Sequence, residues 1–502
     1  MSQPSIKNLK LFLVGFLSLI SLNVSSQQLV LPGDYPDPSV VKIGDTYWAT
    51  ATTSNWLPAF PLLKSKDLTT WERIDFVFEK KPEWADYYFW APEITYDNGR
   101  VYIYYSAHKK DGNLCVGVAS ADKPEGPYQD HGPLVCQEVG SIDGFPIRDE
   151  NGKLYLIWKE DANSVGKPTP IWISEMNEER TALVGQKKEL FRNELDWEGN
   201  LVEGVSVLRK DDYYYAFYAA SACCGTGCSY VSGVARSKSL FGPWEKYSKN
   251  PVLVRDDKWK CPGHGTPVER DGKYYFLYHA YSAKDNVYVG RQGLLSEFRF
   301  TDDGWVEFIK DEVPADPSML SDVKDDFSGR KVSSNWERNV FQSPSYKQKG
   351  GKLTLLAAPA ESGAFLGQKI QSSNFLSEAE IALKKSSAEA GIAAVGDEKN
   401  IIYAVVKGNL LSVRVIKDNK PMYLEEQNFK PSKKLFLRME VFNGKEICFS
   451  YSTDKKTYVR LTGENIAASW LPPWDRAVRA GIVSRGDPKQ TAVFKTFWLD
   501  NN

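Results

Sequence analysis

The stretch NGRVYIYYSA, Asn98 to Ala107, sets an Asn-Gly pair before a run rich in Tyr, Val and Ile. A tight-turn pair followed by β-branched and aromatic residues reads as the turn and second arm of a β-hairpin. The same pattern returns as GDTYWATAT from Gly44, NGKLYLIWKE from Asn151, DDYYYAFYAA from Asp211 and DGKYYFLYHA from Asp271. The starts at 44, 98, 151, 211 and 271 are 54, 53, 60 and 60 residues apart, enough for a unit of several strands. Outer-strand echoes, SKDLTTWER from Ser65, ADKPEGPYQD from Ala121 and SKSLFGPWEK from Ser237, occupy matching places in three units. Five such repeats predict an all-β fold whose first part is a five-bladed propeller.

Beyond Pro317 the texture changes. Short alternating strands such as GGKLTLLA and KLFLRMEVFNG follow DDFSGRKVSSNW without the aromatic motif, and predict a β-sandwich. A chain of 502 residues exceeds what one core serves, so two domains are expected, 27–320 and 321–502. Residues 1–26 have another character. Lys7 and Lys10 precede the apolar run LFLVGFLSLISL and the small residues Val24-Ser25-Ser26, the pattern of a secretory signal peptide, too short for a membrane span. The expected location is therefore secreted or periplasmic. With 63 basic and 64 acidic residues and no long run of either sign, neither nucleic acid nor a membrane surface is an expected partner.

Export permits disulfides. Seven cysteines, an odd number, leave at least one unpaired within the chain, and the cluster CCGTGC lacks the spacing of a zinc site. It suggests a disulfide-stiffened loop of unreadable connectivity.

Five to eight residues before each turn stands an ionisable group: Asp37 in YPDPSVV, Glu93 in WAPEITY, Asp143 in SIDGFPI, Glu203 in LVEGVSVL and His264 in PGHGTPV. Alone, each would pass for a turn residue. In register, at the inner strand of every blade, they would converge on one end of the central channel. Crowded carboxyls push some pKa values up and leave other groups ionised, which supplies the proton donor and acceptor that glycoside hydrolysis needs.

These motifs, in this order, resemble glycoside hydrolase family 43 over residues 30–316, and the later segment resembles the concanavalin-like domain of its arabinofuranosidases and xylosidases. The resemblance implies an inverting enzyme in which Asp37 is the general base, Glu203 the general acid, and Asp143 the residue that sets the acid's pKa and orientation. Inversion requires roughly 6.5–9.5 Å between base and acid, to admit water. Arg291, in YVGRQGL, resembles the arginine that contacts the sugar, with a structural salt bridge as the alternative. Trp90 and Glu93, with Phe145 and Trp56 more weakly, are expected against the substrate. His264 matches a histidine that helps hold a channel ion, often calcium, partly through water; a hydrogen-bonded buried histidine is the equal alternative, and no cofactor is required for the reaction. Gly144 and Val205 depart from the family pattern, where larger residues or proline are common.

The expected activity is release of terminal α-L-arabinofuranosyl or β-D-xylosyl units from plant polysaccharides or oligosaccharides. An endo-acting arabinanase or xylanase, an exo-galactanase, and a sugar-binding propeller without catalysis are the alternatives. The three carboxylates argue against the last of these.

Overall fold

The structure, a computed structural model, describes residues 27–285, 287–309, 319–430 and 432–501. The expected signal peptide lies outside the described residues. Among them, the chain up to Phe308 forms five antiparallel sheets, whose first strands are Ser39–Ile43, Ala85–Asp97, Ser141–Arg148, Val202–Lys210 and Trp259–Arg270. The aromatic repeats are the second strands: Thr46–Thr50, Arg100–Lys109, Leu154–Glu160, Tyr213–Ala220 and Lys273–Ser282. Their turns are tight, with positive φ at Asn98, Gly99, Asp271 and Gly272, as hairpins of the primed type require.

Strand alternation divides each aromatic run between two cores. Val101, Ile103 and Tyr105 pack with Trp48 and Phe60 of the first sheet, while Tyr102 and Tyr104 pack with Leu156 and Trp158 of the third. Tyr214 and Tyr218 join Ile157, and Tyr215 and Phe217 join Phe276 and Tyr278. A fifth core sets Val40, Tyr47 and Leu63 of the first sheet against Leu277 and Leu295 of the fifth, so the order is cyclic. A strand buried on both faces needs apolar side chains at odd and even positions alike. That is why these runs are continuous, whereas the outer strand Gln129–Cys136 is half exposed.

The fifth sheet is completed from the other end of the unit. Gln28–Leu31 pairs antiparallel with Gln292–Phe300, tying the start of the unit to its last sheet. Three disulfides form, Cys115–Cys136, Cys223–Cys224 and Cys228–Cys261, and Cys448 is free and buried.

From Val323 to Asp500 two further sheets, of nine and six strands, share one core that includes Leu353, Ile392, Leu437 and Phe497. This part grips the first directly. Trp56–Leu57 pairs with Arg338–Asn339, and buried Arg479 binds Asp34 at 3.1 Å as well as Glu337. No helix among the described residues is long and apolar enough to cross a membrane.

Candidate active site

Within the first strand of each sheet, or just before it in the first sheet, stands a residue in left-handed backbone: Asp37 (φ 48°), Ala91 (42°), Asp143 (59°), Gly204 (62°) and His264 (44°). In the second to fifth sheets the register also breaks at this place. A bulge of this kind turns a side chain out of the ladder, at a cost of about 1–3 kcal/mol for a residue with a Cβ. The side chains so released gather around a cavity of about 340 Å³ that Asp37, Asp143, Glu203 and His264 all line. Gly204 has a second reason to be glycine, since a Cβ there would lie 2.7 Å from the His264 ring. Gly144 fits closely too, because its Cβ would meet Val116 at 2.5 Å.

A repeated device supports these bulges. A polar residue late in a second strand, or just beyond it, reaches the bulge of the next sheet. Thr52 Oγ1 accepts from the Ala91 amide at 2.6 Å, Ser106 Oγ accepts from the Asp143 amide at 3.0 Å, and Lys159 Nζ donates to Glu203 Oε2 at 2.6 Å. His279 carries the device from the fifth sheet back to the first, its Nδ1 accepting from the Asp37 amide at 2.9 Å. Lys159 and His279 were not anticipated as site residues. Their signal was present, as polar residues late in otherwise apolar aromatic strands.

Asp37 is buried at 7 % exposure. Its carboxylate accepts from Arg291 Nη1 at 2.9 Å and from Thr52 Oγ1 at 2.7 Å, with His264 Nδ1 3.6 Å away. Burial pushes its pKa upward, but Arg291, aided by His279 and His264, overrides this and holds it well below the usual carboxylate range. His279 itself is pushed down to about 4 by burial and by Arg291. It is therefore neutral at physiological pH, in keeping with its role as acceptor.

Glu203 accepts from Lys159 and, at 2.8 Å, from the Tyr230 hydroxyl. Its own burial opposes ionisation, yet Lys159 and Tyr230 lower its pKa. Asp143, which accepts from the Gly204 amide at 3.0 Å, is raised to about 6, chiefly by burial and with a contribution from Glu203. Where the resemblance implies a raised pKa at Glu203, the structure raises it at the neighbouring aspartate, because the lysine sits on the glutamate.

The rim comes partly from the C-terminal sheets. The loop preceding Arg479–Arg485 brings Trp474 and Asp475 to the cavity. The Asp475 side chain accepts from Ser54 and from Trp90 Nε1 at 3.3 Å, and its carbonyl accepts from Arg291 Nη2 at 3.1 Å. Trp474, 52 % exposed, meets Trp90 edge to face at 5.8 Å, and Trp90 stacks on Tyr88 at 4.2 Å.

Trp90, Arg291 and His264 thus line the cavity as expected of them, and three other expected contacts do not. Trp56 is fully buried against Phe365, with the Arg479 guanidinium over its ring, because it anchors the C-terminal sheets. Phe145 packs into the core between the third and fourth sheets. Glu93 stands two residues past the left-handed Ala91 and, unlike Ala91, does not line the cavity. Its carboxyl accepts from Thr266 Oγ1 at 3.2 Å, and burial raises its pKa to about 8. Among the described residues no group of three or more His, Cys, Asp or Glu is placed to hold a metal ion.

An aspartate held ionised and a neighbouring carboxyl whose pKa burial raises to about 6, around one sugar-sized space, are the parts of a glycoside hydrolase. The chain belongs to family 43 of the glycosyl hydrolases, whose model matches residues 26–306. The model of the β-xylosidase C-terminal concanavalin A-like domain matches residues 324–473. A xylan 1,3-β-xylosidase from a Vibrio species is 25 % identical over 452 residues, 79 % of this chain and 82 % of its own length. A non-reducing-end α-L-arabinofuranosidase from Bacteroides ovatus is 26 % identical over 438 residues, 78 % of this chain and 79 % of its own. Among solved structures, a family 43 protein from Bacillus licheniformis superposes with a TM-score of 0.81 at 23 % identity, covering 95 % of this chain and all of that one.

Proposed function

We propose that the protein is an exported, inverting exo-glycosidase that removes terminal α-L-arabinofuranosyl or β-D-xylosyl units from plant polysaccharides. Its scaffold is then a five-bladed propeller over residues 27–320, a reading supported by the cyclic order of the five cores, with a concanavalin-like sandwich over 321–502. The observation that carries exo action is the loop with Trp474 and Asp475, which covers part of the rim where an endo enzyme needs an open groove. Export is supported by the apolar leader and by the disulfides, which persist in oxidising compartments. A relative from Cellvibrio japonicus, 28 % identical over 56 % of this chain and 88 % of its own length, is named an extracellular exo-α-(1→5)-L-arabinofuranosidase.

In this reading Asp37 is the base. Arg291 keeps it ionised and, with Thr52, fixes its direction, so that it can take a proton from the attacking water. Glu203 is the acid that protonates the departing oxygen. In the free enzyme Lys159 favours its ionised form, and the proton rests on Asp143; on sugar binding it passes to Glu203 as the lysine's contact is exchanged for substrate hydroxyls. Trp90 and Trp474 offer ring faces to the sugar.

The test is product analysis on 4-nitrophenyl α-L-arabinofuranoside, 4-nitrophenyl β-D-xyloside, arabinan and arabinoxylan. Free pentose of inverted configuration is the expected product, with the arabinofuranoside the better aryl substrate. Oligosaccharides from arabinan with both aryl glycosides untouched would overturn the exo reading.

A further inference from the structure

The cluster CCGTGC folds into the loop between Tyr213–Ala220 and Val231–Ser237, where adjacent Cys223 and Cys224 are joined to each other. A disulfide stabilises mainly by closing a loop of chain, and the effect grows with loop length. Cys115–Cys136 and Cys228–Cys261 span 21 and 33 residues. Cys223–Cys224 spans one, so it closes almost nothing, and stapling does not account for it.

Its place does. Both cysteines line the cavity that Glu203 lines, and Cys223 packs against the cluster of Leu201 and Tyr230, whose hydroxyl donates to Glu203. The loop is held from three directions: Cys228 is bonded to Cys261 in the strand that carries His264, the Gly225 amide donates to the Tyr281 hydroxyl at 3.1 Å, and a Cβ on Gly225 would lie 3.3 Å from the Trp474 carbonyl. The paired sulfurs therefore present a rigid, polarisable and apolar surface to the cavity that the proposed acid lines. Such a surface suits the C–H face of a sugar ring and offers no strong donor to compete for its hydroxyls.

We propose that the Cys223–Cys224 disulfide is a specificity element, a platform for the sugar on the leaving-group side of the scissile bond. The assignment rests on the reading of Glu203 as the acid, since the group that acid protonates must lie beside it.

The experiment compares two substrates of the preferred pentose, an oligosaccharide and the glycosyl fluoride. Fluoride leaves without protonation and puts no sugar on the platform. In Cys223→Ser/Cys224→Ser the ratio of kcat/KM for oligosaccharide over fluoride is expected to fall about tenfold, mostly through KM, the equivalent of ~1.4 kcal/mol of lost contact. Equal loss on both substrates, or an unchanged ratio, overturns the proposal. If that variant does not fold, the ratio is read on wild-type protein treated with a dithiol, which is oxidised to its cyclic disulfide as the Cys223–Cys224 bond becomes two thiols. Mass mapping of the labelled thiols selects conditions that open this pair alone. Glu203→Gln separates the two readings: as acid it keeps fluoride hydrolysis while losing the oligosaccharide, and loss of both sinks the acid assignment whatever the cysteines do.

Discussion

Around Asp37 the cavity gathers a guanidinium, a threonine hydroxyl and two imidazoles, one of them buried and neutral. Around Glu203 it gathers a second carboxyl, Asp143, and sets one lysine against the pair. Burial alone would push all three carboxyls up. What separates them is the number of cations each one meets. Asp37 has Arg291 committed to it and stays ionised, whereas Asp143 and Glu203 share Lys159 and hold a proton into the mildly acid range. One cavity thus holds carboxyls that part with their protons at different pH.

The contrast breaks most completely at Asp37. Asp37→Asn should lower kcat on the order of 10³-fold on every substrate, the fluoride included, with the fold unchanged by circular dichroism. Near-normal turnover would remove Asp37 from the mechanism.

Next in size is the rim. Trp474→Ala should cost roughly tenfold in kcat/KM, chiefly in KM, because it removes a ring that stands against Trp90 at the mouth. A kcat effect of that size with KM unchanged would point to the reacting atoms instead.

Lys159 tests the other half of the comparison. The reaction needs the shared proton, so kcat/KM should be full below about pH 6 and fall as pH rises through the value to which Asp143 is raised. Lys159→Met takes away the cation that lowers both carboxyls, and should move this alkaline limb upward by roughly one pH unit. A limb that stays in place would separate the lysine from the proton.

The smallest effect is expected at Glu93. Its folded-state pKa, about 8, lies above that of the unfolded chain, so the stability it contributes is full in acid and lost as pH rises through 8. Glu93→Gln should therefore raise the melting temperature by about 2–4 °C at pH 8.5, with less change at pH 5. Thermal scans at the two pH values read the difference directly.

Much of this was legible in the chain. Period-two burial of both faces writes a strand as an unbroken aromatic run, so NGRVYIYYSA and its four echoes disclosed the second strands, and the offset to Asp37, Asp143, Glu203 and His264 disclosed four groups that line one cavity. The same offset picked Glu93, and there it misled. Offset does not show which residue takes the left-handed bulge, and at that strand it is Ala91. Trp56 misled for a related reason: an aromatic residue before a strand looks the same whether it faces a sugar or the C-terminal sheets, which cover it completely.

By itself, then, the sequence determined the strands, their repetition and the ionisable groups gathered around one cavity, because alternation and turn chemistry are local and leave their period in the residues. Tertiary structure alone decided that Gln28–Leu31 completes the last sheet, that Lys159 pairs with Glu203, and that Trp474 and Asp475 reach back across the chain to the rim. Those are contacts between residues far apart in sequence, and the strengths that set each carboxyl's proton depend on distance and burial, which no spacing in the chain records.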